Sequence, residues 1–569
     1  MKKKVLLTAV NAKYIHTCPA VYSLKAYAAG QKIGNASVET AEYTINDRYS
    51  DVLAGIMSEK ADVIAFSVYI WNVDRVRRLI RDIRKIRGKD VMIWAGGPEA
   101  TYYPESFLGE NGADLCMLGE GEEVFSALLA ALSENGKDAC CGGAYGLLPE
   151  VTADLKGTGC PLPNKTAGLR GTAYLSDGKI VNNGLAAPVD LNKIPFLYAD
   201  LQAFDHRILY YESSRGCPFS CAYCLSGRER GIRLRDQGLV EKELQFFLDA
   251  RVPQVKFIDR TFNAVSSHAM HIWQYLKEHD NGVTNFHFEI EADRITDEEL
   301  ELLETLRPGL IQMEIGVQSA NPDTLMSVHR SAKLDRIREV TERLNKKQNI
   351  NLHLDLIAGL PYEDLQSFRQ SFNTVYEMYP HQLQLGFLKL LKGTELHDRK
   401  EEYGLVCSDD APYEVLRTKW LSYEEVDLLQ RISDRVEEYV NSQGFRRSLP
   451  LAEKLFPDAF GMFEALAGYY REHGYDRQQP SVFRRYEIFE AFIAGRAGEA
   501  GRTGENLLPQ IKEMIRFDQC LHTHASRKMV FTETFCIDGR TKTWLFDHRN
   551  PSPVNGEAEY RCPESRHPF

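Results

Sequence analysis

The stretch YYESSRGCPFSCAYCLSG, residues 210–227, places three of the twelve cysteines of the chain within eight residues, at Cys217, Cys221 and Cys224. Zinc and ordinary iron–sulfur clusters take four ligands from the protein, so this segment is one ligand short. Zinc sites usually combine two cysteine or histidine pairs, and no second pair lies nearby in the sequence. The segment is therefore either a metal site that another ligand completes or a loop with three structural cysteines.

The composition limits the class of protein that carries this segment. The chain has 569 residues and a net charge of -11, and its basic residues are scattered apart from short helix-like runs such as RVRRLIRDIRKIRGK. We therefore expect no nucleic-acid partner. No apolar run is long enough to cross a bilayer, and the apolar segment after MKKK is too short for a secretory signal, so we expect a cytoplasmic protein without a membrane partner. In that reducing compartment a tight cysteine cluster predicts metal binding rather than disulfides.

The first 136 residues alternate short apolar segments with amphipathic ones. The segments KVLLTAV, DVIAFSVYIW, DVMIWAGG and DLCMLGEG are predicted to be buried strands, and VDRVRRLIRDIRKIRG and EEVFSALLAALSENG are predicted to be helices. This alternation predicts an α/β fold with a doubly wound parallel sheet, a Rossmann-like domain. Ligands of such sheets bind at the carboxyl ends of the strands.

Three further regions follow along the chain. Residues 137–204 are predicted to form a linker with one hairpin, whose turn is Asp177-Gly178. Residues 205–400 contain six strand segments, most of them separated by helices, which predicts a partial (β/α)6 barrel with its chemistry at the strand ends. In residues 401–569 we expect the strands to stop and a mostly helical domain of unknown role to form. Its segment DQCLHTHA contains Cys520, His522 and His524, which we expect to be surface groups of a strand or loop, with a metal site as the alternative.

The CxxxCxxC spacing resembles that of the radical S-adenosylmethionine (SAM) superfamily. This resemblance implies that Cys217, Cys221 and Cys224 bind three irons of a 4Fe-4S cluster and that SAM occupies the fourth iron. The segments IGVQSANPDTLMSVHR and LDLIAGLPYED are similar to those of oxygen-independent coproporphyrinogen oxidase and its radical SAM relatives. The implied chemistry is electron transfer from the cluster to SAM, with a donor such as flavodoxin or ferredoxin, and release of a 5′-deoxyadenosyl radical.

The same resemblance implies a set of SAM contacts at the strand ends of the barrel. They are Tyr211, Tyr223, Asp259, Thr261, Glu291, Gln318, Ser319, Arg330 and Asp355. Arg330 can bind the methionyl carboxylate with two hydrogen bonds, and Asp355 can accept hydrogen bonds from ribose hydroxyls. The relatives usually have a glycine-rich pair after the second strand, where this chain has Asp259 and Thr261. Without the family, such buried polar residues are also compatible with an internal ion-pair network.

The N-terminal domain resembles the cobalamin-binding domain that often precedes a radical SAM barrel, in the segments NAKYIHTCPAVYSLKAY, GGPEATYYPE and GEGEEVF. The resemblance implies cobalamin contacts at three strand ends, formed by Ser67, Tyr69, Asn72, Gly96, Gly97, Glu99, Gly119, Glu120 and Gly121. Glycines at these positions let the backbone approach a bulky ligand. The sequence lacks the DxHxxG motif that supplies an axial histidine in many cobalamin proteins. His16 has the wrong spacing for that motif, so we expect it to be an ordinary loop or core residue.

Two classes of activity are compatible with these resemblances. The favoured class is a cobalamin-dependent methyltransferase, in which one SAM methylates the cobalt and a second yields the radical that abstracts hydrogen from an unactivated carbon of a small-molecule or peptide substrate. The alternative is a radical rearrangement, cyclisation or oxidation with cobalamin in an auxiliary role. A non-catalytic cofactor carrier or sensor conflicts with the complete set of SAM-contact positions. The sequence assigns no residue as the catalytic group.

The missing axial-ligand motif gives a first testable prediction. We expect the purified protein to bind about one cobalamin in a base-off, His-off state, because no histidine with the spacing of the motif is available to the cobalt. Electron paramagnetic resonance of the Co(II) form measures this ligation directly. Nitrogen superhyperfine splitting from a coordinated imidazole would contradict the prediction, and failure to bind any cobalamin would reassign the first domain.

Overall fold

The computed structural model describes most of the chain. The described residues are 2–31, 33, 36–109, 111–132, 168–176, 178–198, 200–228, 231–527, 531–537, 540–546 and 551–553. Asp177 of the predicted hairpin turn and the first part of the predicted linker, residues 137–167, lie outside the described residues.

The N-terminal region is a seven-stranded sheet, in the order β2-β1-β3-β4-β5-β6-β7, with helices between its strands. Its elements are β1 Lys3–Asn11, α1 Pro19–Gly30, β2 Ala36–Thr44, α2 Tyr49–Ser58, β3 Val63–Ser67, α3 Val73–Arg87, β4 Met92–Gly96, α4 Pro98–Tyr102, α5 Glu105–Leu108, β5 Leu115–Met117, α6 Glu122–Ala131, β6 Thr172–Ser176 and β7 Lys179–Asn182. The first five strands pair in parallel, and β6 and β7 pair antiparallel. The central strands are apolar because both of their faces are covered; β3, for example, is buried along its whole length.

The structure confirms the doubly wound fold predicted for this region and adds two findings. The four predicted strands are β1, β3, β4 and β5, whereas β2 was not predicted, because it is a half-exposed edge strand with the mixed sequence ASVETAEYT. The hairpin β6–β7, expected in the linker, instead extends the sheet by pairing antiparallel with β5. It thereby covers backbone groups of β5 that would otherwise form an open sheet edge.

The second region is an open parallel sheet of six strands in the order β15-β14-β13-β12-β11-β8. Its elements are β8 Leu209–Tyr211, β9 Ser214–Cys217, β10 Gly231–Leu234, α7 Gln237–Asp249, β11 Gln254–Phe257, α8 Ser266–Glu278, β12 Asn285–Ile290, α9 Asp297–Glu304, β13 Ile311–Gln318, α10 Pro322–Ser327, α11 Leu334–Lys347, β14 Asn351–Ala358, α12 Leu365–Tyr376 and β15 Gln382–Phe387. Strands β9 and β10 form a separate antiparallel pair. All six strand segments predicted from the sequence are present, which confirms the partial barrel.

The C-terminal region is mostly helical, as predicted. Its elements are α13 Glu395–Asp398, β16 Val406–Cys407, β17 Val415–Arg417, α14 Tyr423–Val436, α15 Leu449–Ala452, α16 Ala459–Glu472, α17 Val482–Glu499, α18 Gly501–Arg527, β18 Phe531–Ile537, β19 Arg540–Phe546 and β20 Pro551–Pro553. The expectation that strands stop after residue 400 is wrong, because a short pair and a three-stranded sheet follow. Among the helices that the structure describes, none is long and apolar enough to span a membrane.

The C-terminal helices cover the edge strand β15 of the barrel sheet. Asn441 binds the backbone of Leu383 in both directions: the Leu383 amide donates to Asn441 Oδ1 at 2.8 Å, and Asn441 Nδ2 donates to the Leu383 carbonyl at 3.0 Å. Arg369 on α12 adds two hydrogen bonds of 3.0 Å to Asp458. The open side of the partial barrel is thus closed by the region that follows it in the chain.

Glu42, on strand β2, joins the first sheet to the barrel. Its carboxylate is buried and accepts hydrogen bonds from Asn11 Nδ2 at 2.9 Å, the Cys18 amide at 2.9 Å and the Tyr22 hydroxyl at 2.7 Å. Arg207, at the entrance to β8, contributes an ion pair of 2.6 Å to the same carboxylate. One side chain therefore fixes both the loop after β1 and the start of the barrel.

We expect Glu42→Ala to lower the free energy of unfolding by about 3 kcal/mol, because it leaves a largely buried guanidinium without its partner. The matched control is Glu39→Ala on the same strand, since the Glu39 side chain is 53 % exposed and that of Glu42 only 7 %. The control should change the free energy by no more than about 0.5 kcal/mol. Urea unfolding followed by circular dichroism measures both variants, and equal effects would contradict the role given to Glu42.

Candidate functional site

The three clustered cysteines lie in the loop that runs from residue 212 to residue 227, here called the cluster loop. Cys217 ends β9, and the backbone amide of Cys224 donates to the Cys221 carbonyl at 3.0 Å, which folds the loop into a turn. Gly216 has a φ of 98°, and a Cβ there would lie 2.3 Å from the Gly231 carbonyl oxygen on β10, so no other residue fits. None of these three cysteines forms a disulfide.

Two predicted SAM residues meet at the cluster loop through a buried ion pair. Arg330 Nη2 donates to Glu291 Oε1 at 2.6 Å, and its Nη1 approaches the Cys221 sulfur at 3.8 Å. Burial raises the pKa of Glu291 to about 7, although the charge of Arg330 acts against that rise. Burial likewise raises the pKa of the Cys221 thiol, and Arg330 again opposes it. The cation therefore stands between the carboxylate and the cysteines.

Two further predicted residues lie against this group. Gln318 follows a register shift in β13 and has a φ of 70°, and its side chain folds over Gly316, where a Cβ would lie 2.1 Å from Gln318 Nε2. The same Cβ would be 3.6 Å from the Arg330 guanidinium. On the other side, the Thr261 hydroxyl lies 3.6 Å from the Cys217 sulfur. Residues from the ends of three strands, β11, β12 and β13, are thus brought to the cluster loop together with Arg330, which follows α10.

Three predicted SAM residues have protein partners for their polar atoms. Asp259 is fully buried and accepts 2.6 Å hydrogen bonds from the hydroxyls of Ser213 and Ser214, and burial raises its pKa to about 7. The Tyr211 hydroxyl donates to Glu243 at 2.8 Å and the Ser319 hydroxyl to Glu363 at 2.7 Å. Their contact with SAM stays a prediction. In the structure their hydrogen bonds stabilise the strand ends.

The inside of the barrel carries a charged cluster that the sequence analysis missed. Lys256 lies 3.2 Å from Glu314 and 3.5 Å from Glu289, and His287 lies 3.0 Å from Glu314. Burial acts to raise the pKa of Glu314, but the hydrogen bond from His287 and the charge of Lys256 lower it to about 2. The signal was present, because these residues occupy alternate positions of otherwise apolar strands and so point to one face.

The two remaining predicted SAM residues are Asp355, in the barrel interior, and Tyr223, which lies close enough to Arg330 for the charge of Arg330 to oppose the rise that burial causes in the pKa of Tyr223. Asp355 is part of the barrel interior, where its carboxylate is 3.1 Å from His353 and burial raises its pKa. Tyr223 is on the cluster loop between Cys221 and Cys224, and burial raises the pKa of its hydroxyl. Asp355 therefore belongs to the barrel interior, while Tyr223 lies beside the Cys221 thiol.

A cavity of about 720 Å³, here called the central cavity, separates the carboxyl edge of the first sheet from the mouth of the barrel. Seven of the nine predicted cobalamin residues line it, namely Ser67, Tyr69, Gly96, Gly97, Gly119, Glu120 and Gly121. Tyr210, Arg260 and Glu289 line it from the barrel side. At Gly97, with a φ of 99°, a Cβ would lie 2.5 Å from the Val68 carbonyl oxygen, so the glycine keeps this wall open. A large cavity with glycine walls fits a bulky planar cofactor.

The remaining two predicted cobalamin residues do not line the cavity. Asn72 Nδ2 donates to the Val10 carbonyl at 2.9 Å, and Asn72 Oδ1 accepts from the Tyr69 amide at 2.9 Å, so Asn72 shapes the end of β3. Glu99 accepts a 2.8 Å hydrogen bond from the Tyr413 hydroxyl, which connects the first sheet to the C-terminal region. Both residues support the cavity wall in the structure, and their contact with cobalamin stays a prediction.

The two histidine sites discussed from the sequence differ in their surroundings. His16 lines the central cavity, its Nδ1 lies 2.6 Å from the Tyr210 hydroxyl, and burial lowers its pKa. Cys520 and His522 lie on helix α18 rather than in a strand or loop, and the side chain of His524 lies outside the described residues. Within the described segments no three His, Cys, Asp or Glu side chains surround a single-ion position. A 4Fe-4S cluster binds its thiolates through separate irons, so this finding does not bear on the cluster loop.

Three protein families match successive parts of the chain. Residues 5–129 match the B12 binding domain, residues 211–375 the radical SAM superfamily, and residues 401–548 a protein family of unknown function, DUF4080. The chain therefore carries a B12 binding domain in front of a radical SAM domain. Its domains imply a 4Fe-4S cluster, SAM and cobalamin as cofactors, as the sequence resemblances predicted.

Several known proteins are similar to this chain over much of its length. A cobalamin-dependent radical SAM methyltransferase, TokK of Streptomyces tokunonensis, is 26 % identical over 365 residues, which are 60 % of this chain and 49 % of TokK. An anaerobic magnesium-protoporphyrin IX monomethyl ester cyclase of Rubrivivax gelatinosus is 23 % identical over 375 residues, 62 % of either chain. The cobalamin-dependent SAM radical enzyme OxsB, solved with aqua-cobalamin bound, has the same fold, with a TM-score of 0.57 and 14 % identity over 93 % of this chain and 81 % of its own. The chain spans about half the length of the first curated relatives it matches.

The ion pair at the cluster loop yields a prediction for SAM binding. Arg330→Ala should weaken SAM binding by about 1.5–3 kcal/mol, the usual range for hydrogen bonds to a charged group, while the 4Fe-4S absorption remains. Arg338→Ala is the matched control, since Arg338 lies on α11 and forms only a 3.8 Å exposed ion pair with Glu377. Equilibrium binding of SAM to the reconstituted proteins measures both, and an unchanged affinity in Arg330→Ala would show that this residue does not contact SAM.

Proposed function

We propose that this chain is a cobalamin-dependent radical SAM methyltransferase acting on an unactivated carbon of a small-molecule or peptide substrate. The observation that carries the proposal is the central cavity, whose first wall holds the predicted cobalamin residues and whose second wall is the mouth of the barrel. A methyl donor and a radical source have to reach the same substrate carbon, and a shared cavity meets that requirement. The similarity to TokK supports the methyl-transfer assignment.

The residues of the chain divide the work between the first wall of the central cavity and the cluster loop. When bound, the cofactors would supply an electron, a 5′-deoxyadenosyl radical and a transferable methyl group. Cys217, Cys221 and Cys224 would hold the cluster, and Arg330 would orient the methionyl carboxylate of SAM beside it. The glycine edges at Gly97 and Gly119 would receive the flat face of the corrin. A small donor protein such as a flavodoxin or ferredoxin would supply the electron.

The cavity walls also protect reactive species from water. Tyr69 and Trp71 stack at 4.5 Å with ring planes 4° apart, and Tyr69 is part of the wall that faces the barrel. The Tyr210 hydroxyl is occupied by His16, so the two walls are joined at that point by a 2.6 Å hydrogen bond. Excluding water prevents loss of a radical or of a reduced cofactor to side reactions.

A second candidate is a radical cyclisation, rearrangement or oxidation in which cobalamin has an auxiliary role. The similarity to the Rubrivivax gelatinosus cyclase favours this reading, because that protein is named for ring closure rather than methyl transfer. The two candidates use the same cluster and SAM residues. They differ in whether a methyl group leaves SAM, and so in the products that SAM yields.

The products of SAM therefore distinguish the candidates. Protein reconstituted anaerobically with iron, sulfide and cobalamin, then given SAM and reductant, should form both 5′-deoxyadenosine and S-adenosylhomocysteine. The variant with Cys217, Cys221 and Cys224 all changed to Ala should lose the 4Fe-4S absorption and form no 5′-deoxyadenosine, because thiolates are the iron ligands. Liquid chromatography with mass spectrometry measures both products.

The matched control is Cys407→Ala, which removes a free thiol of strand β16 outside the cluster loop and should leave both products unchanged. Formation of 5′-deoxyadenosine without S-adenosylhomocysteine would favour the second candidate. A triple variant that still carries a cluster perturbed by SAM would overturn the assignment of the cysteines.

A further inference from the structure

Arg260 is fixed at the wall of the central cavity by its two neighbours in the chain. Asp259 before it is fully buried and held by Ser213 and Ser214, and Thr261 after it lies against Cys217. Arg260 itself is exposed and lines the cavity. Its backbone is therefore anchored on both sides while its side chain is free to extend into the cavity.

Arg260 is the cavity arginine that forms no ion pair within the part of the chain that the structure describes. Three arginines line the cavity among the described residues, and the other two are paired: Arg215 lies 2.7 Å from Glu212, and Arg235 lies 2.6 Å from Glu243. No carboxylate that the structure describes lies within the 4.0 Å ion-pair distance of Arg260. A guanidinium that faces a partly desolvated cavity without a partner is a ready site for an anion.

The charge of Arg260 acts on both walls of the cavity. It works against the effect of burial on the pKa of Tyr69, in the first sheet, and on that of Glu289, on β12 of the barrel. Arg260 thus lies between the wall with the predicted cobalamin residues and the interior of the barrel. A substrate that meets both cofactors has to occupy the same region.

We propose that Arg260 binds an anionic group of the substrate, a carboxylate or a phosphate. This inference rests on the proposed function and names the substrate class of the same site. The guanidinium fork accepts either group with two parallel hydrogen bonds, which fixes the orientation of the substrate as well as its position. Because Arg260 is anchored next to the cluster loop, the bound anion holds the rest of the substrate between the two cavity walls.

The experiment uses holoprotein with cluster and cobalamin, and two probes of the same shape, benzoate and benzamide. Calorimetric titration of the wild type should detect benzoate binding at least about tenfold tighter than benzamide binding, since only the charged probe pairs with a guanidinium. Arg260→Gln should lose this preference, and Arg260→Lys should keep part of it. Arg338→Gln, on the outer helix α11, should behave as the wild type. A preference that persists in Arg260→Gln, or is missing in the wild type, would overturn the proposal.

Two further titrations separate the substrate from the cofactors as the source of the anion. Cobinamide lacks the nucleotide phosphate of cobalamin. If Arg260 binds the substrate and not that phosphate, Arg260→Gln should bind cobalamin and cobinamide with wild-type affinity. Selective weakening of cobalamin, or weaker SAM binding, would mean that Arg260 holds a cofactor and would overturn the proposal. These measurements need no turnover. An intact benzoate preference without S-adenosylhomocysteine formation would therefore count against the proposed function and for the anion subsite.

Discussion

The position of the two walls of the central cavity relative to each other depends on one guanidinium, that of Arg215. It lies two residues before Cys217 and forms ion pairs with Glu212 at 2.7 Å, Glu122 at 3.0 Å and Glu120 at 3.1 Å. Glu120 and Glu122 belong to the carboxyl edge of the first sheet, so Arg215 ties the cluster loop directly to that edge. Buried charges of this kind persist only in good geometry, because a missing partner leaves an uncompensated charge in a poorly solvated place. These ion pairs therefore hold Cys217 close to the carboxyl edge of the first sheet.

Contacts from the flanking regions also cover both edges of the barrel sheet. Its first edge strand, β8, is approached by the loop after β1, since the Ile208 amide donates to the Ile15 carbonyl at 2.8 Å. Its last edge strand, β15, is covered through Asn441. A six-stranded sheet cannot close on itself as a complete barrel does, and the flanking regions supply the missing closure. The central cavity itself is lined by the first region, residues 191–198 and the barrel.

Local sequence was enough to predict the features that depend on spacing. Three cysteines within eight residues share one loop wherever that loop lies, and the resemblance to radical SAM enzymes implied that Glu291 and Arg330 lie near them. What the sequence could not provide are contacts that form only when regions dock. Arg215 and Glu120 are 95 residues apart, and nothing in either segment names the other. Strand β2, which carries Glu42, was not predicted because an edge strand with mixed polarity has no strong periodic signal. Arg260 could be recognised only in the structure, because there the other two arginines of the cavity, Arg215 and Arg235, are paired with carboxylates.

The hydrogen bond between Glu99 and Tyr413 joins residues that are 314 positions apart in the chain. On a ribosome that adds 5–20 residues each second, Tyr413 emerges roughly 15–60 s after Glu99. The first sheet can be complete long before that, because all of its strands precede residue 183. During synthesis the glycine-lined edge of the first sheet therefore faces solvent, before the opposite wall of the cavity exists. Its hydrogen bond to Tyr413 forms only after the entire barrel has been synthesised.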